Sequence, residues 1–439
     1  MSDTQDLLIR GASLYGESVH DIRVTNGVIT DIGTDLFSQS VAQSSPEIAV
    51  VEAQGAVLLP AFVDLHTHLR QPGREDSETV ETGSRAAALG GYSAVFAMAN
   101  TSPVADTAGV VEQVWRLGQE AGMVDVFPVG AVTVGIAGER LAELGAMANS
   151  AARVRVFSDD GHCVSDPLLM RRALEYVKAF DGVIAQHAQE PRLTIDAQMN
   201  EGELSGILGL TGWPAVAEES IIARDILLAS HVKSRLHVCH VSTAGSVDLI
   251  RWAKGNGVAV TAEVTPHHLL LTEELARDYN PKYKVNPPLR TDADVHALRR
   301  GLADGTIDIV ATDHAPHPHE SKDCEWNAAA FGMLGLETAL GAVTLAMRDV
   351  PGWSWRVLSE RMSTAPALIG QATGHGRPIA VGEPANLVLI DPLAERVIDP
   401  KKFASISRNS PYESMTLPTA VTHVFFRGRQ VVKSGVISA

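Results

Sequence analysis

Residues 64–71 read Asp-Leu-His-Thr-His-Leu-Arg-Gln and hold the densest chemistry in the chain. His66 and His68 stand two positions apart, at the end of the apolar run from Val57 to Val63. On a strand, residues i and i+2 share a face, so these two imidazoles can grip one metal ion. If the extended geometry continues, Arg70 falls on the same side, a cation able to clamp a carboxylate beside a hydrolytic metal. Two residue types at one spacing is a weak pattern by itself. Further polar residues sit in the same way, each at the end of a short apolar run: Asn100, the pair Asp159-Asp160, His187, His240 and Asp313. A single His at a strand end is more often a hydrogen-bonded core residue than a ligand. Asp159 and Asp160 could be a helix cap and a turn residue, and either could be the ligand. These bland readings leave the coincidence of position unexplained. Four imidazoles and two carboxylates at one mouth suit a two-metal hydrolase, with Zn²⁺ fitting the donors and Mn²⁺ or Co²⁺ able to replace it. His162 reads as a loop residue, and His267-His268, after Thr265-Pro266, as supporting or packing positions.

The elements that must position these groups follow one pattern. Short β-rich runs occur near residues 58–66, 92–99, 124–132, 154–158, 183–187, 235–240, 258–264 and 307–312. Helical periodicity fills intervals such as 107–119, 166–179, 214–232 and 292–303. Eight strands alternating with helices predict an α/β fold, a (β/α)8 TIM barrel over residues 57–375, with its site on the C-terminal rim. A doubly wound open sheet is the competing architecture, but no Gly-rich dinucleotide fingerprint follows the first strand. Residues 1–56 and 376–439 carry short alternating runs broken by Gly, Asn and Ser. Neither end can bury a core alone, so both are expected to pair into one small β-sandwich.

Composition narrows the function classes. A chain of 439 residues suggests one large domain and a smaller one. With 45% hydrophobic and 20% charged residues it reads as an ordinary soluble protein. A net charge of −16 argues against nucleic-acid and anionic-membrane binding, so an anionic substrate needs a local cationic site. No apolar run is long enough to cross a bilayer. The opening residues Met1-Ser2-Asp3 are polar and acidic, unlike a signal peptide. Cys163, Cys239 and Cys324 are widely spaced and form no disulfide framework, which points to a reducing, cytoplasmic setting.

The chain resembles the amidohydrolase superfamily and, within it, the class I dihydroorotases, over nearly its whole length. The most specific pieces are Asp64 to Arg70, Ser158-Asp159-Asp160-Gly161, Val264 to His268, Lys284-Val285-Asn286-Pro287-Pro288-Leu289-Arg290, Ala311 to His317 and Phe331 to Glu337. The resemblance implies His66, His68 and Asp313 on a first zinc ion, His187 and His240 on a second, and Asp160 bridging the two. It implies that His68, Arg70, Asn100, Asn286 and His317, with backbone groups at Phe331-Gly332, hold the substrate. It further implies dihydroorotase activity, the reversible interconversion of N-carbamoyl-L-aspartate and (S)-dihydroorotate plus water in de novo pyrimidine (UMP) biosynthesis. In that reaction a metal-held hydroxide attacks the ring amide carbonyl, and Asp313 carries the proton as general base and acid. A homodimer is expected, with association to an aspartate transcarbamoylase as a further partner. Two departures stand out. Residues 151–161 contain no lysine that could be carboxylated to bridge the metals, so a carboxylate must serve. The 27-residue spacing to His187, similar to the family's, favours Asp160. Gln71 stands where the family usually has Glu, with little expected consequence. The rivals are an allantoinase- or hydantoinase-like cyclic amidase, and a non-catalytic dihydroorotase-like scaffold. The polar stretch from Pro316 to Gly332 reads as a lid or as a static loop.

Overall fold

The structure, a computed structural model, describes residues 6–36 and 48–438; of the expected terminal segment 1–56, residues 1–5 and 37–47 lie outside it. Eight short parallel strands carry the central architecture: β1 (Phe62–Thr67), β2 (Tyr92–Ala97), β3 (Asp125–Pro128), β4 (Val156–Phe157), β5 (Val183–Gln186), β6 (Leu236–Val238), β7 (Val260–Val264) and β8 (Ile309–Val310). The first three pair in order, and the last five pair in order. Parallel bridges from Gly130 to Phe157 and from Thr67 to His314 carry the pairing from β3 to β4 and from β8 back to β1. Helices follow the strands: α1 (Val80–Leu89), α2 (Ala108–Ala121), α3 (Leu144–Asn149), α4 (Pro167–Val177), α5 (Val216–Val232), α6 (Ala244–Gly255), α7 (Asp292–Asp304) and α8 (Ala339–Met347). Several starts are written in the sequence. Thr79, Asp166, Thr243 and Thr291 each accept a backbone N–H of the first turn of α1, α4, α6 and α7.

Strand alternation separates two apolar layers. Phe62, Val95, Phe157 and Val238 pack with helix residues such as Ala86, Val114, Leu174 and Ile250. Val63, Phe96, Val183 and Ile309 form a second cluster closed by Ala367 and Ile369. The sequence run at 58–66 is two strands, not one. Val57–Pro60 pairs with Leu7–Leu14 and Leu387–Val397, and only Phe62–Thr67 belongs to the parallel strands. The apolar pattern is continuous across the break, which is why the sequence does not reveal it.

Both ends of the chain meet in one nine-stranded sheet. Its own apolar cluster includes Leu7, Ile22, Leu58, Leu387 and Phe425. The hairpin turns Asn26-Gly27 and Arg427-Gly428 all have positive φ, as two-residue hairpin turns require. They pack on each other so closely that a Cβ on Gly27 would lie 2.7 Å from Arg427 O. Among the described residues no helix is long and apolar enough to cross a membrane.

Candidate active site

The expected ligands come from five strand ends and meet at one buried centre. His66 lies in β1 and His68 just beyond it, with ring centroids 5.4 Å apart. Asp160 follows β4, His187 follows β5, His240 follows β6 and Asp313 follows β8. The Asp160 carboxylate divides its oxygens. Oδ2 is 3.3 Å from Nε2 of both His66 and His68, and Oδ1 is 3.3 Å from His187 Nδ1 and His240 Nε2. Asp313 Oδ1 lies 3.0 Å from His68 Nε2 and 3.5 Å from His66 Nε2. Two groups able to hold a metal ion thus share one carboxylate: His66-His68-Asp160 and Asp160-His187-His240. The neighbouring Asp159 is spent elsewhere, accepting from the backbone of Val132 and Thr133 and from the Thr133 hydroxyl.

The far sides of these imidazoles fix which nitrogen faces the centre. His66 Nδ1 donates to Glu263 Oε1 at 2.5 Å, His68 Nδ1 to Asn100 Oδ1 at 2.9 Å, and His187 Nε2 to Gln189 Oε1 at 2.8 Å. With a metal bound, each inward nitrogen would then present its lone pair to the ion. His66 Nε2 is buried and makes no well-aligned hydrogen bond although two carboxylate oxygens lie within 3.5 Å of it, an arrangement that fits a shared cation better than a hydrogen-bonded imidazole. Burial alone would raise the pKa of Asp160 and Asp313. The surrounding histidines, His66 above all, hold both below the usual carboxylate range. Two ionised buried carboxylates among four converging imidazoles fit a metal centre, where a cation would take the place of the protons the histidines share with them.

A cavity of about 230 Å³ opens on this centre, lined by His68, Arg70, Asn100, Asp160, His187, His240, Asn286, Asp313, His317, Phe331 and Gly332. All the predicted residues except the more deeply set His66 reach its wall. Arg70 arrives by another route than the one expected. The strand ends at Thr67, and Arg70 has a φ of +61°, so a turn rather than strand alternation brings it round. Its Nε donates to Pro316 O at 3.0 Å, and burial lowers its pKa to about 10, so it stays charged at neutral pH. His240 and Asp313 also have positive φ, at 32° and 47°. Conformations of this kind cost of order 1–3 kcal/mol and persist where packing dictates them.

Asn286 Nδ2 donates to Gln189 Oε1 at 3.2 Å, while its buried Oδ1 has no partner. Asn100 Nδ2 donates to Asp160 O at 3.3 Å. Burial, reinforced by the Arg70 charge, pushes the His317 pKa down to about 3. Its Nε2 donates to Phe331 O at 2.7 Å, leaving Nδ1 as an acceptor. The stretch 316–332 is packed in place. Lys322 Nζ donates to Lys284 O and Ala330 O, Lys284 Nζ donates to Trp326 O, and Trp326 is buried. Gln71 accepts the Val80 N–H at the start of α1, a helix-end role that lies outside the cavity. His268 is a packing residue, bonded to Thr265 and Pro287 O. His267 is buried nearby, held neutral by burial with its pKa near 4.

Residues 55–246 match the family described as Dihydro-orotase-like. The chain is 66% identical to a dihydroorotase of Streptomyces coelicolor over 98% of its own length and 99% of that protein's. It is 54% identical to a dihydroorotase of Mycobacterium tuberculosis over 99% of this chain and all of the other. The chain belongs to the dihydroorotase family. Among solved structures, an L-hydantoinase from Arthrobacter aurescens superposes with a TM-score of 0.85 at 24% identity, covering 99% of this chain and 98% of that one; the likeness is one of fold.

In this dihydroorotase-family chain the sequence reading missed Glu263 and Gln189. Glu263 accepts from His66, from His237 Nε2 at 3.0 Å and from the His240 backbone at 3.2 Å. One signal was available: a lone acid inside the apolar strand β7 has to be paired when buried.

Proposed function

We propose that this chain is a metal-dependent dihydroorotase that interconverts N-carbamoyl-L-aspartate and (S)-dihydroorotate plus water, a step of de novo pyrimidine synthesis. The observation that carries the reading is the pairing of a divided Asp160 carboxylate with a buried guanidinium in one small cavity. His66, His68 and Asp313 would hold one zinc ion, His187 and His240 a second, and Asp160 would bridge them. When bound, such ions supply a Lewis acid for the amide carbonyl and an activated water. The remaining work belongs to side chains of the chain. Arg70 takes the substrate carboxylate and fixes the ring orientation. Asn286 Oδ1, lacking a partner, suits a ring N–H. Asn100, His317 and the backbone at Phe331-Gly332 complete the wall. Asp313, ionised in this setting, accepts a proton at its carboxylate and returns it to the leaving ring nitrogen.

The circuit of parallel strands is read as a closed (β/α)8 barrel and the terminal sheet as a small sandwich folded around its own apolar cluster. A cytoplasmic homodimer, able to associate with an aspartate transcarbamoylase, completes the proposal. The test is a pair of progress curves with purified protein, started from dihydroorotate and from carbamoyl aspartate, together with metal analysis. Turnover in both directions and about two metal equivalents per chain are expected. Faster turnover of hydantoin or allantoin would reassign the substrate, and a metal-free, inactive protein would leave only a scaffold role.

A further inference from the structure

We propose that Asn409 is a positioning residue for the substrate: its side-chain amide sets the cavity wall formed by Ala315, His317 and Gly332. The proposal rests on the reading of that wall as the substrate-holding edge. Asn409 is buried and belongs to the C-terminal part of the chain, far in sequence from every strand end that bears a ligand. Its Oδ1 accepts the His317 backbone N–H at 3.2 Å. Its Nδ2 donates to Ala315 O at 2.9 Å and to Gly332 O at 3.2 Å. A carboxamide donates through two N–H bonds and accepts through one oxygen, and here all three functions are used. The Asn409 carbonyl also accepts from Leu334 N at 3.2 Å.

The two chain stretches that it clamps lie side by side. Ala315 N donates to Met333 O at 2.8 Å, and His314 bridges Met333 in parallel. There is no slack between them. At Gly332 φ is +141°, and a Cβ there would lie 2.7 Å from His317 Nε2 and 2.8 Å from Ala315 Cβ. Arg70 is tied to the same stretch through Pro316 O, so a shift of the stem moves the guanidinium as well. The far end of the 316–332 stretch is held independently by Lys284 and Lys322. Loss of the Asn409 amide therefore loosens Ala315 O, His317 N and Gly332 O, while the bonds from Ala315 N to Met333 O and from Gly332 N to Lys284 O keep the two stems in place.

Asn409→Asp keeps the shape and the acceptor for His317 N–H but turns one acceptor oxygen toward the carbonyls of Ala315 and Gly332. Asn409→Ser keeps one donor and one acceptor. The experiment measures KM and kcat for dihydroorotate, metal content and thermal unfolding of both variants, beside His317→Asn. The expected result for Asn409→Asp is a KM raised about tenfold or more with kcat nearly kept and metal content unchanged. Asn409→Ser should shift KM in the same direction by less, and it carries the test if the Asp variant does not fold. Wild-type KM in a folded variant, or a loss of kcat alone, overturns the proposal. If His317→Asn also leaves KM unchanged, the substrate-holding reading of the wall fails; if it raises KM while the Asn409 variants do not, only the role of Asn409 falls.

Discussion

The two ends of the parallel strands carry buried polar clusters built from similar residues, and they behave in opposite ways. At the C-terminal ends, histidines and carboxylates face one another around a cavity. There Asn286 Oδ1, on the cavity wall, is left without a partner. At the N-terminal ends, Ser93 Oγ bonds His375 Nδ1 at 2.9 Å, and His375 Nε2 bonds Asp125 Oδ2 at 2.8 Å. Arg427 Nη2 reaches both Asp125 oxygens, at 2.9 and 2.6 Å. A Ser-His-Asp chain is a familiar source of nucleophiles. Here it is buried and saturated, and it ties the starts of β2 and β3 to the terminal sheet. Residue type does not separate a reactive cluster from a structural one. Unfilled valence beside open space does.

The sharpest way to break this contrast is to remove the acid at the reactive end. Asp313→Asn keeps the size and one acceptor but loses the proton acceptor. We expect kcat to fall by roughly a thousand-fold or more with the fold and most of the metal retained. Steady-state rates and metal analysis on the same preparation check it, and an active variant would place the proton acceptor elsewhere.

A milder break acts one layer behind. Glu263→Gln takes away the charge that orients His66 and, through the backbone, His240. Removing such a support typically costs about 10–100-fold in metal affinity. The expected outcome is a variant whose activity depends on added metal, read by titration after chelation. Activity that ignores added metal would show that Glu263 does not govern the ligands. Arg70→Lys should act on substrate alone. A forked guanidinium becomes a point charge, and losing one charged hydrogen bond of about 1.5 kcal/mol corresponds to roughly a tenfold rise in KM. Metal content should not change, and an unaltered KM would remove Arg70 from carboxylate binding.

The sequence made the reactive end more legible than the closed one, for a physical reason. His66, His68, His187, His240 and Asp313 each follow a short apolar run, and a strand end leaves few directions for a side chain to point. Their convergence can be argued from strand ends gathered on one rim. Glu263 and Asn409 act through partners far away in the chain, and neither sits in a recognisable spacing. Arg70 was placed at the site by expecting strand geometry, whereas a positive-φ turn puts it there. The break between Val57–Pro60 and Phe62–Thr67 was invisible because the run from Val57 to Val63 is apolar without interruption across it. Ser93, Asp125 and His375 raised no signal at all: they are single residues whose meeting depends on the terminal sheet docking under the parallel strands.

That closed cluster gives the smallest expected effect on catalysis and a distinct one on stability. Burial alone would raise the Asp125 pKa, but the bonds from His375 and Arg427 outweigh it and hold the carboxyl below its ordinary value. A carboxylate depressed in the folded state adds stability that is fully present above the unfolded value of about 3.9, and that stability is lost as pH falls through the lower folded value. Asp125→Asn removes this contribution and leaves His375 and Arg427 facing a neutral amide. At neutral pH we expect a loss of about 1–3 kcal/mol in unfolding free energy, with kcat and KM for dihydroorotate unchanged. Below about pH 4 the wild type should lose its advantage and the two unfolding curves should converge. A changed KM in the folded variant would mean that the closed end communicates with the rim, and the division drawn between the two clusters would have to be abandoned.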